Sequence, residues 1–147
     1  MEITTALDFA RTTRHSVLTT LRRNGRPQLS NVFHAVDDDG TIRISVTADR
    51  AKYKNLARTP WAALHITRDD FYAYVVIEGD VTLSAIPTAV DDPAQDDLVQ
   101  HYRSVVGEHP DWDAFREAQM TERRSLVRIT PTHVYGMLSE LPSASGT

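Results

Sequence analysis

The chain has 147 residues, 41% of them hydrophobic and 24% charged, which is the size and composition of one ordinary globular domain (residues 1–147). It contains no cysteine, which excludes disulfides, thiolate metal sites and cysteine nucleophiles. The formal net charge of −4 argues against a nucleic-acid partner, and no signal peptide or membrane-spanning apolar run is visible, so a cytoplasmic protein is expected.

Strand patterns dominate the first half of the chain. A short helix is expected over Thr5–Arg11. The run His15–Leu21 is rich in Val, Leu and Thr, and Asn24-Gly25 behind it is a strong hairpin signal. One unbroken strand is then expected over Gln28–Val36. A turn rich in Asp leads into an alternating strand over Thr41–Thr47.

The middle of the chain predicts a short helix followed by more strands. The helix is expected over Asp49–Arg58, and Thr59-Pro60 ends it because proline disfavours helix at the residue before it. Gly79-Asp80 is expected to link or bulge between two of the strands that follow. These strands are Trp61–Thr67, Phe71–Glu78 and Val81–Ile86.

Two helices and a last strand complete the pattern. Asp92-Pro93-Ala94-Gln95 resembles a helix start, with Asp at the N-cap and Pro at the first helical position, and this helix is expected to end at Gly107. A second helix begins near Asp111, and Ser125–Met137 predicts a long strand before a frayed tail over Ser143–Thr147. Six or seven strands, mostly linked by hairpins, predict an antiparallel barrel with helices added.

The start of the helix at Asp49 carries the most informative chemistry. Helix N-termini favour acidic side chains, yet this first turn holds Arg50 and Lys52. Backbone N–H groups, a guanidinium and an ammonium could converge there on a phosphate, provided that Arg50 lies in the cap region. The alternative is that these are solvated charges on an exposed helix.

Neutral polar side chains on the strand after Pro27 form a second candidate feature. Gln28 and Ser30 share one face, and Asn31 points to the other. Such groups can hydrogen-bond the edges of a planar ring, or they can simply be exposed on an outer strand.

These features join into a resemblance that covers residues 13–136. In order, the motifs are Arg26-Pro27-Gln28-Leu29-Ser30-Asn31-Val32, Arg50-Ala51-Lys52-x-x-Asn55-Leu56, Glu78-Gly79 and Thr132-His133-Val134-Tyr135-Gly136. The chain resembles the pyridoxamine 5′-phosphate oxidase-like superfamily of flavin and deazaflavin proteins. Within it, the chain is similar to the actinobacterial branch that uses coenzyme F420, including the helical insert with Gly107-Glu108-His109-x-Asp111-Trp112.

The resemblance implies a mainly β (β+α) fold, a split antiparallel β-barrel of the FMN-binding type with a helical insert in its C-terminal half. It also implies a homodimer with the cofactor at the subunit interface. The cofactor-binding residues that it implies are Arg50 and Lys52 at the phosphate-bearing tail with Asn55 nearby, Gln28, Ser30 and Asn31 along the ring or ribityl portion, and Tyr72 and Tyr74 approaching the ring from the other subunit. Tyr72 and Tyr74 have the alternative role of core or interface aromatics.

The predicted function is that of an F420H2-dependent reductase acting on a small organic molecule. True pyridoxamine phosphate oxidases end in a segment bearing Trp and Arg, which the run Leu141–Thr147 lacks, and this difference favours F420 over FMN. An FMN-dependent oxidoreductase and a non-catalytic F420 carrier or sensor are the alternatives. The six histidines show no metal-site spacing, so no metal is expected. His34 and His65 are candidates for a proton donor, but the sequence identifies no catalytic acid.

Overall fold

The computed structural model describes residues 1–138. Within that range the helices are α1 (Ile3–Ala10), α2 (Ala51–Arg58), α3 (Gln95–Val105) and α4 (Trp112–Thr121). The strands are β1 (His15–Leu21), β2 (Pro27–Phe33), β3 (Ala35–Val36), β4 (Ile42–Thr47), β5 (Trp61–Thr67), β6 (Ala73–Leu83) and β7 (Arg124–Leu138). The predicted strands at 15–21 and 61–67 are confirmed to the residue, whereas the predicted tail at 143–147 lies outside the described residues.

All seven strands form one antiparallel sheet in the order β2-β1-β5-β6-β7-β4-β3. The inward face of the curled sheet packs against α1 and α2 around the larger of two apolar clusters. Side chains alternate across the sheet as the pleat requires. Ile42, Ile44 and Val46 of β4 are buried, as are Ala62, Leu64 and Ile66 of β5. The mainly β, split-barrel fold predicted from the sequence is confirmed.

The prediction of one strand over Gln28–Val36 is wrong, and the break at His34 explains how the sheet curls. β2 pairs with β1 at one edge, whereas β3 pairs with β4 at the other edge. The chain passes between the two edges through His34 alone. The His34 side chain is 1% exposed, and its backbone N–H donates to the carbonyl of Arg14 at 2.9 Å instead of to a neighbouring strand.

β6 is a single strand of eleven residues, not the two that the sequence predicts. Its pairing with β7 shifts register between Glu78 and Gly79, which pair with His133 and Pro131 and leave Thr132 as the extra residue of a bulge. A Cβ on Gly79 would lie 2.3 Å from the carbonyl oxygen of Thr130, so no larger residue fits at this point of close approach.

The helices α3 and α4 pack together on the outside of the barrel beside β7. Leu98, Val99 and Phe115 form a second apolar cluster with Leu126 of β7. The predicted cap at Asp111 is confirmed, because its carboxylate accepts from the backbone N–H of Ala114 at 3.1 Å. None of the helices within residues 1–138 has the length and apolar character needed to cross a membrane.

The predicted start of α3 is wrong by two residues. Asp92 accepts from the backbone N–H of Ala94 and Thr88, both at 2.9 Å, and so closes a turn before the helix. The helix itself begins at Gln95, with Ala94 at its N-cap. The Asp-Pro signal therefore marks a turn that leads into the helix.

Candidate functional site

The N-terminus of α2 exposes uncompensated positive charge. Arg50 is its N-cap residue in an extended conformation, and no side chain caps the helix. The first turn contains no acidic residue. The expected cap, Asp49, is therefore off by one position, and its carboxylate bonds with Thr47 instead, an interaction that lowers the pKa of Asp49. Arg50 does lie in the cap region, which is the position that convergence with Lys52 requires.

Lys52 is partly buried and lies close to other positive charges. Burial lowers the pKa of its ammonium group, and the positive charges of Arg50 and Arg124 lower it further. Arg124 comes from β7, where it pairs in register with Thr47 of β4, and its Nε lies 2.9 Å from a carboxylate oxygen of Glu122. We call Arg50, Lys52 and Arg124 the cationic turn.

Sequence reasoning missed Arg124 because its place beside Lys52 depends on the pairing of β4 with β7. The sequence shows a basic pair at 123–124 but nothing that places it near α2. Within residues 1–138, Arg50 and Lys52 form no ion pair, so the cationic turn contains more positive charge than neighbouring acids compensate. Such an arrangement is unfavourable unless an anion binds to it.

Asn55 joins the helix to the strands that carry the polar side chains. It is 6% exposed, and its amide nitrogen donates to Thr20 Oγ1 at 3.1 Å and to Gln28 Oε1 at 3.3 Å. Its own Oδ1 accepts from Arg58 at 2.9 Å. Asn55 thus fixes Gln28 next to α2, and Ser30 follows two residues along on the same half-buried face of β2.

Two of the remaining predicted residues, Asn31 and Tyr74, lie on the other face of the sheet. Asn31 is exposed there, next to Val17 of β1. Tyr74 stacks on His65 of β5 with ring centroids 5.4 Å apart and planes at 22°. Tyr72 is exposed and precedes β6. The eight predicted residues therefore do not form one cluster. Gln28, Ser30, Arg50, Lys52 and Asn55 lie around α2, Asn31 and Tyr74 lie on the outward face of the sheet, and Tyr72 is exposed just before β6.

This outward face of β2, β1, β5, β6 and β7 has two clefts. We call the first, of about 390 Å³, the Asn31 cleft; His15, Asn31, Phe33, His65 and Asp69 line it with neighbouring residues. The second, of about 520 Å³, is the Trp61 cleft, lined by Leu29, Trp61, His65, Glu78, Tyr135 and others. Large apolar side chains stand exposed around them: Leu29, Phe33, Tyr135 and Met137.

The two histidines considered as proton donors differ in availability. Both ring nitrogens of His34 are engaged: Nδ1 lies 2.8 Å from Ser16 Oγ, and Nε2 lies 2.9 Å from the carbonyl oxygen of Ala10. Burial lowers the pKa of His34, so its imidazole stays neutral in the interior. His65 lies in the wall of both clefts. In residues 1–138 no cluster of three His, Asp or Glu side chains is arranged to hold a metal ion.

Comparison with known proteins decides the family. The family model described as pyridoxamine 5′-phosphate oxidase matches residues 4–138. This chain belongs to that family. Its fold is therefore that of the family's flavin-binding oxidoreductases, and the predicted resemblance is confirmed at this level.

Solved structures agree with this assignment. The chain is 26% identical to a conserved hypothetical protein from Mycobacterium tuberculosis, with a TM-score of 0.68 over 92% of this chain and 84% of that one. A protein called F420 reductase is 24% identical, with a TM-score of 0.60 over 87% and 94% of the two chains. A pyridoxamine 5′-phosphate oxidase-related, FMN-binding protein from Nostoc punctiforme is 17% identical, with a TM-score of 0.63 over 91% and 81%.

Proposed function

We propose that this family member is an oxidoreductase that uses coenzyme F420 and binds the phosphate-bearing tail of that cofactor at the cationic turn. The observation that carries the proposal is the start of α2, which has no capping side chain and no acid in its first turn, and where Lys52 meets the positive charges of Arg50 and Arg124. Helix N–H groups and cationic side chains together form a strong phosphate site. An anion there would relieve the repulsion that lowers the pKa of Lys52.

The ring of the cofactor is proposed to extend from the cationic turn along β2. Gln28 and Ser30 occupy successive positions on the face of β2 that is tied to α2 through Asn55, which places neutral hydrogen-bonding groups next to the cations. Such groups suit the carbonyl and imide edges of a deazaflavin or flavin ring. When bound, the cofactor supplies the hydride; Gln28 and Ser30 orient it, and Arg50 and Lys52 hold its tail.

The outward face is proposed to pair with a second copy of the chain in a homodimer. Leu29 is 61% exposed and Phe33 68% exposed on β2, and Tyr135 and Met137 are exposed on β7. Apolar groups gathered on one sheet face are typical of a surface that another protein covers. A second copy would bring Tyr72 and Tyr74 close to the partner's cofactor, which is the role that the resemblance implies for them.

F420 is preferred to FMN because one similar structure is called F420 reductase and because the sequence resembles that branch. The cationic turn does not separate the two, since both cofactors present a tricyclic ring and a phosphate. The structural likeness to an FMN-binding protein keeps FMN as the second candidate.

Titration of the purified protein, freed of bound cofactor, with F420, FMN and FAD tests the proposal. We expect saturable binding of F420 with higher affinity than of FMN, followed by absorbance or fluorescence. Tighter binding of FMN would replace F420 with the second candidate. Binding of neither cofactor would refute the functional proposal while leaving the fold unchanged.

A further inference from the structure

We propose that the cleft between α3, α4 and the sheet is a second ligand site, that it takes an uncharged aromatic carboxamide, and that the side-chain amide of Gln119 recognises the amide group of this ligand. The cleft has a volume of about 330 Å³, within the range of roughly 300–1,000 Å³ that is usual for small-molecule sites. We call it the Gln119 cleft. None of its described lining residues belongs to β2, where the cofactor's ring is placed.

Helix periodicity turns one face of each helix toward the Gln119 cleft. Leu98, His101 and Val105 follow one another at intervals of three and four residues on α3, so they share a face. Phe115 and Gln119 are four residues apart on α4 and share a face in the same way. Regular secondary structure therefore holds both walls of the cleft.

A cluster of aromatic rings fixes the apolar wall of the cleft. Phe115 is 8% exposed, and its ring meets that of Tyr102 edge-on with centroids 5.0 Å apart. The ring of Trp112 packs against both, with centroids 5.3 Å from Phe115 and 5.8 Å from Tyr102. Rings held by one another keep one orientation, so a flat ligand would meet a preformed surface and lose little affinity to rearrangement of the protein.

The side chain of Gln119 is the polar group of the cleft that lacks a partner. It is 9% exposed, and its amide forms no hydrogen bond with the residues that the structure describes. Gln95 of α3 shows the contrasting case of a buried glutamine amide that is bonded to protein. Its Nε2 donates to the carbonyl of Arg116 at 2.9 Å and to the carbonyl of Ala89 at 3.2 Å. Because an unpaired buried amide is unfavourable, a ligand that bonds to Gln119 would stabilise the folded chain.

The charge of the lining disfavours an ionised ligand. Among the described residues of the cleft, Glu122 and Arg124 are opposite charges that bond to each other at 2.9 Å. Burial, together with the positive charge of Arg43, lowers the pKa of His101 to about 4, so its imidazole is neutral at neutral pH. An ionised ligand would lose its hydration against apolar walls without meeting an unpaired counter-charge. The cleft therefore favours an uncharged molecule.

A primary carboxamide is the group that best complements Gln119. The glutamine amide presents an N–H donor and a carbonyl acceptor side by side, and a second primary amide can pair with both through two parallel hydrogen bonds. Leu98 and Phe115, which are 2% and 8% exposed, supply apolar surface for a ring attached to that amide. One aromatic ring with one carboxamide combines these two requirements.

The first experiment is an NMR titration of the protein without cofactor. The side-chain amide signals of Gln119, identified by their loss in Gln119→Leu, are followed while benzamide, N,N-dimethylbenzamide or benzoate is added. We expect a saturable shift with benzamide. Binding should be weaker by roughly tenfold or more for N,N-dimethylbenzamide, which has no N–H to donate, and for the charged benzoate. Equal affinity for either of these, or no shift of Gln119 up to the solubility limit of benzamide, would overturn the ligand assignment.

The second experiment tests the role of Gln119 with a matched pair of variants. Gln119→Leu keeps a side chain of similar size without the hydrogen-bonding atoms, so we expect it to fold and to bind benzamide roughly tenfold more weakly. Gln100→Leu makes the same change at an exposed position of α3 and should keep wild-type affinity. The indole N–H signal of Trp112, whose ring packs against Phe115, reports binding in all three proteins.

The outcomes are independent of the proposed function, because neither experiment uses F420. If F420 does not bind, the proposed function fails, and the benzamide titration still decides whether the Gln119 cleft is a ligand site. If benzamide binds but Gln119→Leu keeps wild-type affinity, or if Gln100→Leu loses as much affinity as Gln119→Leu, the recognition role of Gln119 is refuted.

Discussion

Two helix starts in this chain are built in opposite ways. α4 begins at Asp111, whose carboxylate accepts from the backbone N–H of Ala114, and Asp113 adds a negative charge to its first turn. α2 begins at Arg50, with no capping side chain and no acid in its first turn. The helix dipole favours the first arrangement and disfavours the second. α4 is therefore capped by its own residues, whereas the start of α2 has no capping side chain and is the place where we propose that the cofactor's phosphate binds.

The difference extends to the surroundings of each helix. On the α3–α4 side, two cations are paired with acids: Arg128 lies 2.8 Å from Asp97, and Arg103 lies 2.8 Å from Glu108. In the cationic turn only Arg124 has such a partner among the described residues. Arg103 and Arg128 thus have acidic partners beside the packed helices, whereas two of the three cations where we place the cofactor's tail have none among the described residues.

The largest expected effect comes from removing the charge at α2. Each of Arg50→Ala and Lys52→Ala should weaken F420 binding by about 1.5–3 kcal/mol, or roughly tenfold or more, and the double variant by roughly 100-fold or more. Fluorescence titration with F420 and FMN measures this. Arg103→Ala removes a cation that is already paired on α3 and should leave both affinities unchanged. Wild-type affinity in the double variant would refute the phosphate role.

The second effect concerns acid stability of the α3–α4 side. Burial, together with the positive charge of Arg43, lowers the pKa of His101 from 6.5 to about 4. Between these values the unfolded chain binds more protons than the folded one, so stability falls as pH drops through this window, by about 3 kcal/mol in total. Urea unfolding of the wild type and of His101→Gln measures it.

The test compares how the free energy of unfolding changes with pH in the wild type and in His101→Gln. Burial also lowers the pKa of His34, so this residue reduces the stability of both proteins as the pH falls. The wild type should therefore lose more stability than His101→Gln as pH falls from 6.5 to about 4. Parallel curves would mean that His101 is not desolvated.

Sequence patterns predicted the elements that depend on local periodicity. Alternation and hairpin signals located β1 and β5, and Asp111 marked the start of α4. The convergence of Arg50 with Lys52 was predicted on the condition that Arg50 lies at the cap, and this condition holds.

Two features that the sequence did not reveal depend on contacts between distant segments. The break at His34 is fixed by bonds to Arg14, Ser16 and Ala10, which no strand pattern displays. Arg124 joins Lys52 only through the pairing of β4 with β7. Neither feature has a local signature in the sequence, so both required the three-dimensional fold.

A smaller expected effect tests the comparison between the starts of α2 and α4, and it is measured as a change in the free energy of unfolding. Asp111→Ala should lower the free energy of unfolding by about 1 kcal/mol, because the N–H of Ala114 loses its acceptor, and should leave F420 affinity unchanged. Arg50→Asp should do the reverse, stabilising the cofactor-free protein while abolishing F420 binding. Urea denaturation with a parallel F420 titration measures both. If Arg50→Asp destabilises the cofactor-free protein, α2 is not an unsatisfied helix start.

The smallest expected effect is a change in the free energy of unfolding at alkaline pH, and it comes from Lys52. Because its pKa is lowered from 10.5, the unfolded chain holds more protons than the folded chain between the lowered value and 10.5, so stability rises with pH through that window. Lys52→Met should flatten this rise, measured by urea unfolding from about pH 8 to 10.5. Saturating inorganic phosphate should also flatten it in the wild type, because a bound anion keeps the ammonium group charged. A rise that persists in phosphate would mean that the cationic turn does not bind anions, and the comparison between α2 and α4 would then concern stability alone.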